Sequence, residues 1–348
     1  MLDQNLLSKN IVRPAFQFCH DWMHGILQGT APVVIHHCLQ AIAQTGFEVH
    51  QFLERYYQLW QYPKGHKCQY IHTLFQKKNI EKNKKAQKFS CTASECLAIF
   101  PVMRHFLETI IQPQGLCPKE VKSFLAMALV IDQCHGGIQW KTTTRSSLLA
   151  AVEDCNQSFS EAFPEATMIR KWHWHLHLPD SYGKFGHLPS CFTCERKHKT
   201  MSSFASRLLK TQSFEANLLE QLLANEISTL KEPNLFPAVS HLTKEKNATA
   251  KEIAGIQIHS GDAIVYSNGD SSSTWNLAQV LFHAHVFGMA TTLVQLWTID
   301  ALEKHHATCH LGESMGLIPM DNILFPVPYN KDNSKAIVLL PYQIHCQT

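Results

Sequence analysis

The chain has 348 residues, enough for two or three packed domains of about 150 residues each. Hydrophobic residues make up 45% of it and charged residues 17%, which excludes a disordered protein, a collagen-like fibre and a charged coiled coil. The formal net charge of +3 does not by itself indicate a nucleic-acid partner, whereas the 22 histidines supply many candidate metal ligands.

In chain order, the first predicted element is a short strand over residues 11–19, an apolar run that contains Pro14. Apolar residues then recur at spacings of three and four, which predicts a series of helices. These predicted helices cover residues 21–46, 47–60, 94–112, 118–134 and 146–163. The lysine-rich residues 77–88 predict a solvated loop or a helix with no packed face, and a nuclear-targeting or phosphate-contacting patch is the alternative interpretation.

The second half of the chain changes character near Pro237. Before it, residues 204–230 predict one long helix. After a polar linker, short apolar runs separated by turn residues predict a small β-barrel or sandwich. The predicted strands are 256–259, 263–266, 280–285, 292–297, 323–327 and 336–340. We therefore divide the chain into four parts. Residues 1–20 are the last core strand and its lead-in, and residues 21–190 are a helical insertion. Residues 191–235 are a core helix, and residues 236–348 are a linker with a small β domain.

An aspartate and a histidine stand three residues apart close to the start of the chain, at Asp21 and His24. An aspartate at a strand-to-helix transition can cap the helix and present its carboxylate at the end of a sheet. His24 would lie on the same helical face and could reach that carboxylate or its metal ion. An ordinary helix N-cap is the alternative, and the spacing alone favours it.

A second acidic residue, Glu195, is followed at once by the cations Arg196, Lys197 and Lys199. Phosphodiester chemistry needs a carboxylate that holds Mg²⁺ and cations that neutralise phosphate. We therefore expect the three cations to bind DNA. The alternative is an acidic residue in a first helical turn beside a solvated basic face.

Three blocks of the sequence resemble those of cut-and-paste DNA transposases of the CACTA (En/Spm-type) group. They are D-x-x-H at residues 21–24, K-x-H-x-x-x-H-L-P at residues 171–179, and F-G…C-x-x-C-E-R-K-H-K at residues 185–199. The resemblance covers about residues 11–230. It implies an RNase H-like core in which a D…D…E triad binds two Mg²⁺ ions, with a large helical insertion before the Glu, and it implies DNA as substrate and a nuclear location.

By position in that family, Asp21 matches the second catalytic Asp, Glu195 matches the Glu, and His24 joins them as a metal ligand. The resemblance departs from the pattern at the first Asp, because Asp3 is the one acidic residue in residues 1–20. Those residues are also too few to supply the strands and the helix that precede the second Asp. The expectation is a truncated or domesticated transposase-like chain that does not cleave DNA by itself.

A zinc site is a further interpretation of the same region. Cys191 and Cys194 have the spacing of half a zinc knuckle, and His173, His177 or His198 could complete four ligands. At helical spacing His173 and His177 share a face, whereas at strand spacing His175 joins them. A single C-x-x-C favours buried thiols and scattered histidines over a zinc site.

Two classes of function stay open from the sequence. The first is a transposase-like protein with DNA as substrate and Mg²⁺ as cofactor, and the second is a non-catalytic DNA- or chromatin-binding protein. The fold predicted for either is mainly α with a minor β part: a partial RNase H-like core with a large helical insertion, and a small C-terminal β-barrel-like domain. A homo-oligomer is an open alternative to a monomer.

The location predicted from composition is a reducing compartment, the nucleus by resemblance and otherwise the cytoplasm. The 12 cysteines show no regular disulfide framework, and the N-terminal residues lack the apolar core of a signal peptide. The most apolar stretch, residues 280–297, is interrupted by His283, His285 and Gln295. We therefore expect no membrane partner.

Overall fold

A computed structural model shows a mainly helical chain with a minor antiparallel sheet. It describes residues 19–66, 68–139, 143–188, 191, 198, 201–207, 213–230, 250–253, 256–267, 275–286 and 289–340. The chain divides into two compact units, residues 1–189 together with 247–348, and residues 190–246. The domain limits given above stay predictions.

Helices occupy most of the first unit up to residue 188, as the three- and four-residue spacing predicts. In chain order they are α1 (Ala31–Gln44), α2 (Val49–Gln58), α3 (Lys77–Ala86), α4 (Ala93–Phe106), α5 (Pro118–Gln139), α6 (Arg145–Ala162), α7 (Arg170–His175) and α8 (Leu178–Phe185). Their ends follow local signals. Thr92 and Glu95 form a capping box at the start of α4, and Gly46 adopts a φ of +89° just after α1.

A π-helical segment, Met23–Thr30, leads directly into α1. At its end the N–H of Ala31 donates to the carbonyl oxygen of Ile26, five residues earlier. The next residue, Pro32, has no N–H with which to bond the Gln28 carbonyl four residues before it. The segment is therefore a place where carbonyl groups can take partners from outside the helix.

The core of the helical part is built from buried residues of the long helices, and α1 and α4 are buried on more than one face. Ile35 and Leu39 of α1 are at most 1% exposed. The rings of Phe100 and Phe124 stack with 4.7 Å between their centroids. Trp172 of α7 packs on Phe159 of α6 at 4.3 Å. The short α7 is thereby fixed to the bundle by a large aromatic contact.

The described residues after position 247 contain nine strands. They are β1 (Ala250–Ile253), β2 (Ile256–His259), β3 (Ala263–Ser267), β4 (Trp275–Val286), β5 (Met289–Leu302), β6 (His306–Pro319), β7 (Ile323–Val327), β8 (Tyr329–Asp332) and β9 (Lys335–Leu339). The first two form a hairpin of their own, and the other seven form one antiparallel sheet in the order β7-β3-β4-β5-β6-β9-β8. The sequence did not predict β1, β6 or β8, and β1 lies partly in the stretch that it predicted as a polar linker.

The seven-stranded sheet closes on itself. Its two edge strands, β7 and β8, are consecutive in the chain and only Pro328 separates them, so the polypeptide passes from one edge of the sheet to the other in one residue. Register shifts within β4 and β5 supply the bends that such curvature needs. The result is a nearly closed barrel, which confirms the predicted barrel-like C-terminal part.

Alternate residues of the barrel strands point into its core, as period-two patterning requires. Large side chains fill the interior, with the rings of Trp297 and Tyr329 5.4 Å apart. The other buried members of this cluster are Ala263, Val265, Trp275, Leu277, Ala307, Cys309, Phe325, Val327, Ala336, Val338 and Leu340.

The barrel contacts the helical part of the same unit through backbone and side-chain hydrogen bonds. Gln61 and Tyr329 exchange two backbone bonds of 2.7 and 3.0 Å. The Lys64 backbone N–H donates to the Asp262 carboxylate at 3.0 Å, and its ammonium donates to the Ser260 carbonyl at 2.6 Å.

The second unit contributes one long helix to the described residues, α9 (Phe214–Leu230), within the stretch predicted as helical. None of the helices in the described ranges has both the length and the apolar composition that crossing a bilayer requires. The strand predicted for residues 11–19 falls outside the described residues except for Cys19, so the RNase H-like part of the fold stays a prediction.

Candidate functional site

Asp21 caps the π-helical segment, as its position before a helical pattern predicts. Its two carboxylate oxygens accept the backbone N–H groups of Met23 and His24, each at 3.2 Å. The imidazole Nδ1 of His24 makes a short hydrogen bond to the same carboxylate. The D-x-x-H block is therefore one hydrogen-bonded group, in which the carboxylate fixes the orientation of the imidazole.

Asp21 and His24 are the residues here that could hold a metal ion. A carboxylate oxygen is the ligand that Mg²⁺ prefers, whereas an imidazole nitrogen suits Zn²⁺ and other transition metals better. The Asp21 side chain is 17% exposed and that of His24 is 40% exposed, so both are accessible to an ion.

Lys171, the first residue of the K-x-H block, docks onto this segment from far along the chain. Its ammonium donates to the carbonyl of His24 at 2.8 Å and lies 3.5 Å from the carbonyl of Gln28. The ammonium of Lys88 donates to the same Gln28 carbonyl at 2.8 Å. Burial lowers the pKa of Lys171 and the charge of Lys88 lowers it further, whereas the Asp21 carboxylate raises it.

A buried polar contact reinforces this docking. Nε2 of His175, which is fully buried, lies 2.9 Å from the hydroxyl of Thr30 at the end of the π-helical segment. Burial lowers the pKa of His175 to about 4, so this imidazole is neutral at pH 7. The structure therefore gives His175 an anchoring role and turns it away from the solvent.

His173 and His177 lie on the exposed side of the same block. Their Nε2 atoms are 3.2 Å apart. The ring of His20 stacks on His177 at 5.2 Å between centroids and on Trp174 at 5.5 Å. The block is helical, so His173 and His177 share a face and His175 does not, which confirms the helical alternative of the two spacings.

Several predicted site residues fall outside the described part of the chain. They are Glu195, Arg196, Lys197, Lys199 and Cys194. Cys191 and His198 are described but belong to the second compact unit. The predicted approach of Asp21 and Glu195, the basic cluster at residues 196–199 and the four-ligand zinc site stay predictions.

The sequence did not predict that Lys88 and Gly29 take part in this site. Lys88 is the last residue of the lysine-rich stretch, and nothing in the sequence distinguishes it from the solvated lysines before it. Gly29 lies against the Lys171 side chain, because a Cβ built on it would be 2.6 Å from Lys171 Cδ. A glycine inside a helical pattern is the signal that could have marked such a close approach.

The lysine-rich stretch forms helix α3 with most of its cations in solvent. Lys77, Lys78, Lys82 and Lys85 are exposed, and Lys84 is paired with Glu81 at 3.3 Å. One side of α3 is held by the buried Asn83 side chain, whose oxygen accepts the backbone N–H of Ser90. The helix is thus attached to the bundle and presents a cationic face.

Comparison of the chain with protein-family models, with curated proteins and with solved structures found no match.

Proposed function

We propose that the chain is a transposase-like protein that binds DNA in the nucleus and does not cleave it by itself, with Asp21 as a metal-binding carboxylate of a partial RNase H-like core. The observation that supports this best is the meeting of two of the three resembling blocks. Lys171 hydrogen-bonds the His24 backbone, and His20 stacks on Trp174 and His177. Residues 147 positions apart therefore build one local site.

In this proposal Asp21 and His24 would hold the ion together with Glu195. The donor set is compatible with Mg²⁺, since its carboxylates are hard oxygen ligands. When bound, Mg²⁺ would stabilise negative charge on the phosphate and on the leaving oxygen. The chain's own contribution at this point is orientation, because the N–H groups of Met23 and His24 fix both oxygens of the Asp21 carboxylate.

Strand cleavage needs a further carboxylate, since a two-metal site stabilises the attacking and the leaving oxygen with separate ions. The resemblance assigns two carboxylates to residues 1–348, Asp21 and Glu195. We therefore expect residues 1–348, as a purified protein, to bind DNA without nicking it in Mg²⁺ or Mn²⁺.

The deciding experiment measures DNA affinity with and without Mg²⁺. Binding of a labelled duplex would be followed by fluorescence anisotropy for the wild-type chain, Asp21→Asn and the control Asp180→Asn. Asp180 is a matched carboxylate in the first turn of α8, paired with Arg145 on the surface. We expect Mg²⁺ to tighten DNA binding by the wild type and the control, and to have no effect on Asp21→Asn.

An equal Mg²⁺ effect on all three proteins would contradict the metal role of Asp21. It would favour the second candidate, a non-catalytic DNA- or chromatin-binding protein. The cationic face of α3 is the specific observation behind that alternative, because exposed lysines can neutralise phosphates whether or not a metal site exists.

The contribution of α3 can be measured separately through the salt dependence of binding. Replacing Lys78, Lys82 and Lys85 with Gln should reduce the slope of log K against log salt by up to about 2.7, which is about 0.9 for each phosphate that a lysine no longer neutralises. The matched control replaces three exposed barrel lysines with Gln. These are Lys304, Lys331 and Lys335. Equal slopes for the two triple variants would show that α3 does not face DNA.

A further inference from the structure

Two exposed histidines at the junction of α7 and α8 stand in the geometry of a metal chelate. Nε2 of His173 and Nε2 of His177 are 3.2 Å apart, and the two rings are nearly perpendicular, at 87°. Both residues are exposed, so an ion from solution can reach the two nitrogens. The same pair would otherwise share a single imidazole hydrogen bond.

The nitrogen–nitrogen distance is what one tetrahedral ion requires. Zn²⁺ binds imidazole nitrogen at about 2.0–2.1 Å, so two nitrogens on one tetrahedral ion are separated by about 3.3 Å. The observed 3.2 Å needs almost no adjustment. Two imidazoles also select for Zn²⁺, Ni²⁺ or Cu²⁺ and against Mg²⁺, which prefers oxygen ligands.

Helix α7 and the ring of His177 are packed by neighbouring side chains, which reduces the entropy that ion binding would cost. On the buried side of α7, Trp172 packs on Phe159, and His175 contacts Thr30. On the exposed side, the ring of His20 stacks on His177 with an interplanar angle of 19°. The imidazoles are therefore placed before any ion arrives.

We propose that His173 and His177 form a two-histidine site for a transition-metal dication, with Zn²⁺ as the ion of choice and water completing the coordination. His20 is a positioning residue that supports the His177 ring. This site is separate from the Mg²⁺ role proposed for Asp21 and does not depend on it, because it uses other atoms and other ligand chemistry.

The test uses the untagged full chain, freed of metal, and titrates it with Zn²⁺ in a calorimeter. We expect His173→Ala and His177→Ala each to weaken one Zn²⁺ equivalent at least tenfold, since one imidazole cannot chelate. The control is His187→Ala, an exposed histidine in the same region whose Nδ1 contacts the Phe185 carbonyl. It should leave the titration unchanged. Zn²⁺ that cysteines bind elsewhere in the chain contributes equally to every variant, so it does not affect the difference between them.

A second measurement uses the wild-type chain and needs no substitution to fold. Long-range ¹⁵N correlation spectra of the histidine rings should show the Nε2 signals of His173 and His177 moving together on addition of one equivalent of Zn²⁺. The proposal is overturned if both alanine variants bind Zn²⁺ like the wild type, if the control loses the same equivalent, or if the two Nε2 signals do not respond.

Discussion

A methyl group added at Gly29 should loosen the attachment of Lys171 to the π-helical segment. A Cβ at this position would lie 2.6 Å from Lys171 Cδ and 3.0 Å from the carbonyl oxygen of His24. Because that carbonyl accepts the Lys171 ammonium at 2.8 Å, the side chain cannot move away and keep its hydrogen bond unchanged. Gly25, in the same segment, is the matched control, since a Cβ there meets nothing within 4 Å.

The magnitude follows from two opposing contributions to the free energy of unfolding. Losing a hydrogen bond from a charged donor costs about 1.5–3 kcal/mol. Replacing glycine with alanine inside a helix returns about 0.5–1 kcal/mol. Gly25→Ala should therefore stabilise the protein slightly, and Gly29→Ala should be less stable than Gly25→Ala by about 1.5–3 kcal/mol.

Urea unfolding followed by tryptophan fluorescence at pH 7 measures this difference. A double-mutant cycle identifies its cause. In a Lys171→Ala background there is no lysine side chain left to displace, so the cost of Gly29→Ala should fall to that of the 3.0 Å approach to the His24 carbonyl oxygen. The reasoning is refuted if Gly29→Ala and Gly25→Ala have equal stabilities, or if Gly29→Ala costs the same with and without Lys171.

Three further predictions concern buried polar groups. Arg104→Met should lower the free energy of unfolding by about 3–5 kcal/mol. It leaves the Asp132 carboxylate, which is 11% exposed and whose pKa burial raises to about 6, without its 2.5 Å partner. A decrease below about 1 kcal/mol, measured by thermal unfolding, would contradict this. Burial lowers the pKa of His105 to about 4, so the folded state binds fewer protons than the unfolded state between about pH 6.5 and 4. His105 alone should therefore contribute a fall in stability of about 2 kcal/mol from about pH 7.5 to 5, in addition to that of other buried histidines such as His175, and His105→Gln should remove that part of the pH dependence of urea unfolding. Tyr329→Phe should cost about 1–3 kcal/mol in the same assay, because the Tyr329 hydroxyl accepts from the Gln279 amide at 2.7 Å and donates to the Gly261 carbonyl at 3.0 Å. An unchanged midpoint would show that the 3.0 Å bond from the Gln279 amide to the Gly261 carbonyl is sufficient.

Helix positions were predictable because their signals are local. The capping box at Thr92 and Glu95, the glycine at position 46 and the apolar spacing of α5 and α6 each lie within a few residues of the boundary that they determine. The lysine-rich helix α3 shows the limit of such signals. Its attachment depends on Asn83 and on a bond from the Phe89 N–H to the Pro32 carbonyl, and neither contact is visible as an apolar face.

The strand β6 was not predicted from the sequence because packing against β5 requires residues in it that are not typical of strands. Its two glycines, Gly312 and Gly316, are typical of breaks, yet they accommodate β5. A Cβ on Gly312 would be 3.2 Å from the Leu296 carbonyl oxygen, and one on Gly316 would be 3.3 Å from the Leu296 side chain. Barrel closure through Pro328 is likewise a relation between strands far apart in the sheet, which periodicity within one strand cannot indicate.

For the candidate site, the sequence predicted the cap and could not predict the docking. Asp21 as N-cap and His24 on the same face follow from a spacing of three residues. The hydrogen bond from Lys171 to the His24 carbonyl joins residues 147 positions apart, and no local pattern encodes it. A resemblance in sequence gives the order of the two blocks along the chain and does not indicate which of their atoms are in contact.

The docking also separates the lysines into two groups with different expected effects. Lys171 and Lys88 donate to carbonyl groups of the π-helical segment, so their ammonium groups are engaged within the fold. Removing either charge should lower stability and leave the salt slope of DNA binding nearly unchanged. Lys78, Lys82 and Lys85 of α3 are exposed, so their removal should change the salt slope and leave stability nearly unchanged. A comparison of salt slope and stability for the two groups therefore tests which cations of this mildly basic chain contact phosphate.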